Sequence, residues 1–181
     1  EAREQLTGVR EQLTGLAQDQ LVQALNQAEQ QADRLLQRQD DIRRRTDPLA
    51  SADHPEPTPR DQRDARILAA DQARIQPDLA HLESVLAALG TAAPSGTLPR
   101  DTARYVQGAA RDLRRGRVAD KMTNATVELA ALRPAGAVPE QQDAVRSLER
   151  VLENVRAAND SLVSDAGSEL RRARREAQQL D

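Results

Sequence analysis

The chain has 181 residues, of which 38% are hydrophobic and 30% are charged, and its only Phe, Trp or Tyr residue is Tyr105. Leu, Ala, Val and Ile must therefore form any core, and such a composition suits long helices packed along narrow seams better than a compact globule. The 26 basic and 29 acidic residues nearly cancel to a net charge of -3, which argues against recruitment of nucleic acid or an anionic membrane surface by charge.

Cysteine is absent, which excludes disulfides, thiol catalysis and Cys-ligated zinc but leaves the compartment open. Lys121 is the only lysine among the 26 basic residues. This bias toward Arg is typical of a genome rich in G and C and predicts a bacterial or archaeal source. No apolar run approaches the roughly 20 residues that a membrane-spanning helix needs, so we predict no transmembrane segment in this chain.

The chain begins with a heptad written twice, REQLTGV at 3–9 and REQLTGL at 10–16, and a repeated heptad is the period of a supercoiled helix. After a stutter at Leu13, Ala17 and Leu21 the seam continues in a shifted frame, which predicts one helix from about 2 to 47. The regular heptads argue against the alternative of disorder. The later seam residues are Leu21, Leu25, Ala28, Ala32, Leu35, Gln39, Ile42, Thr46 and Leu49.

Four prolines within 48–60 predict a loop, because each lacks a backbone donor and biases its predecessor toward extended geometry. A second helix is predicted from about Asp61 to Gly90, with Pro77 producing a kink rather than two separate helices. Its seam consists of Ala65, Leu68, Gln72, Ile75, Leu79, Leu82, Leu86 and Leu89.

A third helix is predicted from Pro99 or Arg100, with Gly116 as a local distortion within a continuous element. Its expected seam residues are Val106, Ala110, Leu113, Ala119, Met122, Thr126, Leu129 and Leu132. The next turn is predicted at Pro134, Gly136 and Pro139, and the last helix from about 140 to 181. That helix carries a seam of Val145, Leu148, Leu152, Val155, Asn159, Leu162, Ala166, Leu170, Ala173, Ala177 and Leu180.

These elements predict an all-α fold in which the first and last helices pair antiparallel, so that residue n faces a residue near 188 - n. The stutters of the two helices then lie at nearly the same height. We expect a coiled-coil stalk of residues 1–20 with 165–181 that ends in an elongated four-helix tip of residues 21–164. Because both ends of the sequence lie inside heptads, residues 1–181 are expected to be a single helical domain excised from a larger protein.

No catalytic, cofactor-binding or metal-binding residues are predicted. The two histidines, His54 and His81, would have to converge with carboxylates such as Asp53, Glu56 or Glu83 to hold a metal, and nothing in the sequence fixes such an approach. Surface positions are therefore the preferred interpretation for both histidines. The motifs of nucleophile elbows, P-loops, dinucleotide-binding loops and zincins are missing as well.

Three arginine clusters, at 43–45, 111–117 and 171–175, are candidate phosphate-binding patches, since guanidinium groups grip phosphate bidentately. Acidic residues near each cluster favour ion pairs along or between helices instead. Polar residues also occupy seam positions, namely Gln39, Gln72 and Asn159. Either they select the register of pairing at a cost in stability, or they mark a frayed, wet patch.

Three stretches occur in a familiar order: LLQRQDDIRRRTDPLA at 35–50, ILAADQARIQPDLAHL at 67–82 and AARDLRRGRVADKMTNATVELAAL at 109–132. This order resembles helical segments of large, membrane-anchored bacterial proteins of an uncharacterised family. The resemblance covers about 35–155. It implies a structural or scaffolding segment near a membrane, reached through other parts of the parent protein, with no known activity and no functional residues.

The sequence thus favours a non-enzymatic coiled-coil scaffold that acts as a spacer or a protein-docking surface in a larger assembly. The alternative is a helical module that binds a protein or a polyanion through an Arg-rich face. Self-association through the stalk or tip is plausible, because a seam does not reveal whether its partner helix belongs to the same chain. The salt dependence of binding distinguishes the two functions, since phosphate binding weakens steeply as the ionic strength rises, whereas a spacer binds no ligand at any salt concentration.

Overall fold

Six α-helices account for nearly all of the computed structural model, which describes the backbone of residues 2–51, 57–92 and 98–178 and the side chains of 19–51, 57–91, 98–165 and 167. No β-strand occurs in these ranges, so the fold is all-α, as predicted. The helices are α1 (Ala2–Ala50), α2 (Pro59–Arg74), α3 (Gln76–Ala92), α4 (Arg100–Arg115), α5 (Val118–Ala130) and α6 (Pro134–Gln178).

The six helices form a bundle of four rods, because α2 and α3 follow one another along one rod and α4 and α5 along another. α1 packs against α6 and against the rod of α2 and α3. The rod of α4 and α5 packs against α6 and against α2 and α3. Two side-chain contacts connect α1 with α6: Asn159 donates to Asn26, and Arg156 donates to Asp33.

The core is a stripe of Leu, Ile, Val and Ala that runs along the inside of the bundle. All eight predicted seam residues of the second rod are buried. α6 buries a face wider than the predicted single seam because it packs against α1 on one side and against α4 and α5 on the other. Its buried residues among those described are Ala137, Gln141, Ala144, Val145, Ser147, Leu148, Val151, Leu152, Val155, Ala158 and Leu162.

The first loop is shorter than predicted, because α1 continues through Pro48 to Ala50 and α2 begins at Pro59. Pro48 lies in the last turn of α1, where its missing donor removes only one helical hydrogen bond. At the start of α2, Thr58 and Asp61 form a capping box. The Thr58 hydroxyl accepts from the Asp61 N–H at 3.2 Å, and Asp61 Oδ2 accepts from the Thr58 N–H at 2.9 Å.

The predicted kink at Pro77 is a break between two helices. Ile75 separates α2 from α3 and keeps a right-handed backbone (φ -90°, ψ -9°), and its carbonyl accepts from the Leu79 N–H at 3.2 Å. Pro77 lies in the first turn of α3, where a backbone donor has no helical partner in any case. α3 then ends at Ala92, two residues after the predicted Gly90.

The prediction of one continuous helix through Gly116 is also wrong. Arg117, between α4 and α5, has a left-handed backbone (φ 48°, ψ 43°), which ends the helical path. Gly116 lies against α6, and a Cβ there would be 2.7 Å from the Asp112 carbonyl oxygen and 2.8 Å from Ser147 Cβ. The close approach of the two rods therefore requires glycine at this position.

The buried seam of α4 and α5 differs from the predicted one by one residue at three positions. The buried residues are Ala109, Val118 and Ala125, whereas the predicted Ala110 and Thr126 are half-buried and Ala119 is exposed. At each of these positions the predicted and the buried residue are neighbours of similar, mostly small size, so a hydrophobicity pattern does not distinguish which of the two faces the core.

A Schellman motif at Leu132 (φ 61°) ends α5. The Arg133 N–H donates to the Glu128 carbonyl at 2.8 Å and the Leu132 N–H to the Leu129 carbonyl at 3.0 Å. The predicted turn at 134–139 is instead the first part of α6, which begins at Pro134. Proline is well suited to the first position of a helix, so Pro134 starts this one rather than preventing it.

Candidate functional site

Titratable side chains do not converge into an active centre in the described part of the chain. No group of three or more His, Asp or Glu side chains there is close enough to hold a metal ion. His81 is exposed on α3, and the other predicted histidine, His54, lies outside the described residues, as do Asp53 and Glu56. The polar features that remain are a buried amide layer and the arginine-rich surfaces.

The buried amide layer consists of Gln39 on α1, Gln72 on α2 and Gln141 on α6. Each of the three side chains is fully buried. Gln39 Nε2 donates to Gln72 Oε1 at 3.1 Å, and Gln72 Nε2 donates back to Gln39 Oε1 at 2.6 Å. Gln141 Nε2 donates to Gln72 Oε1 at 3.2 Å. One amide oxygen thus joins three rods of the bundle.

This geometry argues against a frayed patch at Gln39 and Gln72, because both amides are desolvated and reciprocally paired. Gln141 Oε1 is buried without a protein donor. An amide is neutral and neither gives up nor accepts a proton at ordinary pH, so the layer orients helices and has no acid-base chemistry. Sequence reasoning missed Gln141, which lies one turn before the first predicted seam residue of the last helix.

The third predicted polar seam residue, Asn159, is half-buried at the contact of α6 with α1. Its Nδ2 donates to Asn26 Oδ1 at 2.6 Å and to Glu29 Oε2 at 3.1 Å. Arg156 lies one turn earlier and pairs with Glu29 at 3.2 Å and with Asp33 at 3.3 Å. These polar contacts link the two longest helices where the buried core thins out.

The arginine cluster at 43–45 is neutralised by neighbouring aspartates, as the favoured interpretation expects. Arg43 pairs with Asp40 at 2.9 Å and with Asp47 at 2.8 Å. Arg45 reaches across to Asp71 of α2 at 3.1 Å. Arg45 also lines a cleft of about 480 Å³ between α1 and α2. The other two arginines of this cleft, Arg38 and Arg74, are paired with Asp78 and Asp71. The cleft therefore presents no unpaired cation.

The cluster at 111–117 is different, because Arg111, Arg114 and Arg115 have no carboxylate partner among the described residues. Only Arg117 is paired, with Asp120 at 2.8 Å. α4 carries five arginines and two aspartates, which gives it a net charge of +3 in a chain of net charge -3. The third cluster, 171–175, has side chains outside the described residues.

One ion pair fastens α5 to α6. Lys121 donates to Asp143 Oδ2. This hydrogen bond is the main reason that the pKa of Asp143 lies below its ordinary value of 3.8. Desolvation opposes the shift, and the positive charges of Lys121, Arg146 and Arg150 add to it. A carboxyl whose pKa is lowered by folding stabilises the fold above its unfolded pKa and loses that effect as the pH falls through the folded pKa. Because Asp143 is 47% exposed, solvent screening keeps this contribution small.

No helix in the described part of the chain is both long enough and apolar enough to cross a bilayer. Comparison of the chain with protein-family models, with curated proteins and with solved structures finds no match. The amide layer and the unpaired arginines of α4 therefore have to be interpreted from their own geometry.

Proposed function

We propose that the chain is a non-enzymatic structural scaffold, in which residues 1–20 and 165–181 form an antiparallel coiled-coil stalk that carries a four-helix tip of residues 21–164. Such a molecule serves as a spacer or as a protein-docking surface in a larger assembly. The resemblance to membrane-anchored bacterial proteins is consistent with this role and extends the proposal to a scaffold held near a membrane by other parts of the parent protein.

The observation that carries the proposal is the length of α1 and α6 relative to the other helices. The last core layer at this end of the bundle contains Leu25, Leu89, Val106 and Leu162. Beyond it, α1 extends from Leu25 back to Ala2 and α6 from Leu162 on to Gln178. At 1.5 Å per residue these extensions are about 35 Å and about 24 Å long.

Two further features support pairing of the extensions. The contacts of Asn26 with Asn159 and of Asp33 with Arg156 agree with a pairing in which residue n faces a residue near 188 - n. The repeated heptad at 3–16 has the period that two-stranded pairing requires.

Small-angle X-ray scattering combined with light-scattering mass tests the stalk. At high salt we expect a monomer with a maximum dimension of about 75 Å, the length of the 49-residue α1. Its radius of gyration should then exceed the value of about 16 Å that a compact globule of 181 residues would have. A compact monomer would disprove the stalk, and a dimer at high salt would show that the seams pair between chains.

The alternative function, recognition of a polyanion by an Arg-rich face, is favoured by one observation, the absence of carboxylate partners for Arg111, Arg114 and Arg115 in the described residues. Polyphosphate titrated calorimetrically into the full chain tests it. The alternative expects binding that falls steeply between about 20 and 200 mM salt, because binding releases counterions. The spacer function expects no binding at either salt concentration.

A further inference from the structure

The outer surface of α4 carries a straight row of arginines, which we call the basic row: Arg104, Arg111 and Arg115. All three are exposed. Their spacing of seven and four residues places them on one side of the helix, about 16 Å from end to end. Arg104 lies 5.0 Å from the centre of the Tyr105 ring and 3.6 Å from Asp101, and the other two have no partner among the described residues.

A complementary row lies on α6, and we call it the acidic row: Glu149, Glu153 and Asp160. All three carboxylates are exposed and have no cationic partner among the described residues. Glu149 lines the groove between α6 and α1. By contrast, α4 packs on the side of α6 that carries Ser147 and Ser161. The two rows therefore lie on different sides of the bundle and do not neutralise each other within one molecule.

The two rows are at matching heights along the bundle. Thr102 contacts Ser161 at 3.3 Å and Gly116 lies against Ser147, so residue n of α4 is level with residue 263 - n of α6. Arg104, Arg111 and Arg115 are thus level with positions 159, 152 and 148. Each of these positions is one residue before a member of the acidic row.

We propose that the basic row of α4 docks on the acidic row of α6 in a second copy of this chain. Because the rows are level, a second copy that points the same way, is not shifted along the bundle axis and turns its acidic row toward the basic row brings each of the three arginines level with a carboxylate. Three arginines lie near the acidic row on α6. Arg150 donates to Ser147 Oγ on the α4 side of the helix. Arg146 is paired with Asp143, and Arg156 with Glu29 and Asp33 of α1, so these two charges are already matched by carboxylates. Because each copy presents both rows, the contact is heterologous, and further copies extend the assembly into a row or a ring whose members all point the same way.

The contact consists of exposed ion pairs, which are individually weak and are screened by salt. Association is therefore expected only at high protein concentration and low ionic strength, or where the chains are held together on a surface. The proposal does not depend on the stalk, because both rows lie within the four-helix tip. The scattering measurement at high salt tests the stalk separately from this contact.

Sedimentation of the full chain tests the proposal. At about 0.5 mM protein and about 20 mM salt, we expect the weight-average mass to rise at least twofold above 19.9 kDa and to return to the monomer value at about 500 mM salt. Neither R111E/R115E nor E149R/E153R should associate alone, because each has like charges on both surfaces. Their equimolar mixture should associate again, because each variant complements the other.

The double variant R63E/R66E is the matched control, since Arg63 and Arg66 are exposed on α2, have no partner among the described residues and give the same change in net charge. It should associate like the unmodified chain. Circular dichroism confirms that each variant keeps its helix content. The proposal is overturned if the unmodified chain stays monomeric at low salt, if the control variant loses association as fully as R111E/R115E, or if the mixture stays monomeric. If the unmodified chain stays monomeric at low salt, the basic row would instead be a candidate surface for an acidic partner protein.

Discussion

Replacing Gln72 with Leu is expected to lower the free energy of unfolding by about 2–4 kcal/mol, although Leu is the more hydrophobic side chain. Gln72 Oε1 accepts from both Gln39 and Gln141, so the substitution leaves two buried amides without their partner. Each unsatisfied buried polar group costs roughly 1–3 kcal/mol. Urea denaturation followed by far-UV circular dichroism measures the loss.

The triple variant Q39L/Q72L/Q141L is the decisive comparison, because it removes the whole layer and leaves no amide unsatisfied. It is expected to be at least as stable as the unmodified chain. Gln142→Leu, at an exposed position of α6, is the control and should change stability by less than about 0.5 kcal/mol. If the triple variant loses the sum of the three single losses, the three amides do not act as one layer.

The same triple variant tests the hypothesis that the polar seam selects the register of pairing. Apolar side chains at all three positions remove the requirement that one amide meet two others, so helices of different chains also pair favourably. Light scattering after size exclusion is expected to show more than one oligomeric state for the triple variant. A single monomer peak with cooperative unfolding would contradict the hypothesis.

Gly116→Ala is expected to destabilise the chain by about 2 kcal/mol, because the new Cβ would overlap atoms that have little freedom to move. It would lie 2.7 Å from the Asp112 carbonyl oxygen and 2.8 Å from Ser147 Cβ, and both belong to or adjoin helical backbone. For a chain of this length the melting temperature should fall by about 4–8 °C. Thermal unfolding followed by circular dichroism measures this shift.

Gly90→Ala is the matched substitution. Gly90 lies in α3, and a Cβ there would have no neighbouring atom within 4 Å. Alanine favours a helix over glycine by up to about 1 kcal/mol, so this variant should be more stable than the unmodified chain. Equal effects of the two substitutions would show that Gly116 is not needed for the close approach of α4 to α6.

Which residues of a helix face the core was predictable from the sequence where the seam consists of large side chains, but not where it consists of alanines. Leu79, Leu82 and Leu86 are buried as predicted, because the strict spacing of leucines admits only one inward face. In α4 the same reasoning selected Ala110 although Ala109 is buried, since neighbouring alanines are equivalent to a hydrophobicity pattern.

Helix boundaries depended on local chemistry that periodicity does not record. Thr58 and Asp61 form a capping box that the sequence spells out three residues apart, so the start of α2 was accessible to prediction. The left-handed conformations of Arg117 and Leu132 were not, because neither residue type prefers a left-handed backbone.

The polar features of the candidate surfaces were predictable in part. Periodicity placed Gln39 and Gln72 in the seams of their own helices. Their contacts with each other and with Gln141 depend on the relative heights of α1, α2 and α6, which no local pattern gives. Ion pairs between Arg43 and Asp47 follow from helical spacing. The partner-free state of Arg111 depends on which helices surround α4, and only the assembled bundle provides that information.

The contact between the first and last helices has a consequence for synthesis on the ribosome. α1 is completed at Ala50, whereas its main partner α6 begins only at Pro134. At 5–20 residues per second, translation of the segment between them takes about 4–17 s. Of the helices that pack on α1, only α2 and α3 are synthesised during that interval, so part of its apolar stripe stays open to pairing with neighbouring nascent chains until α6 emerges.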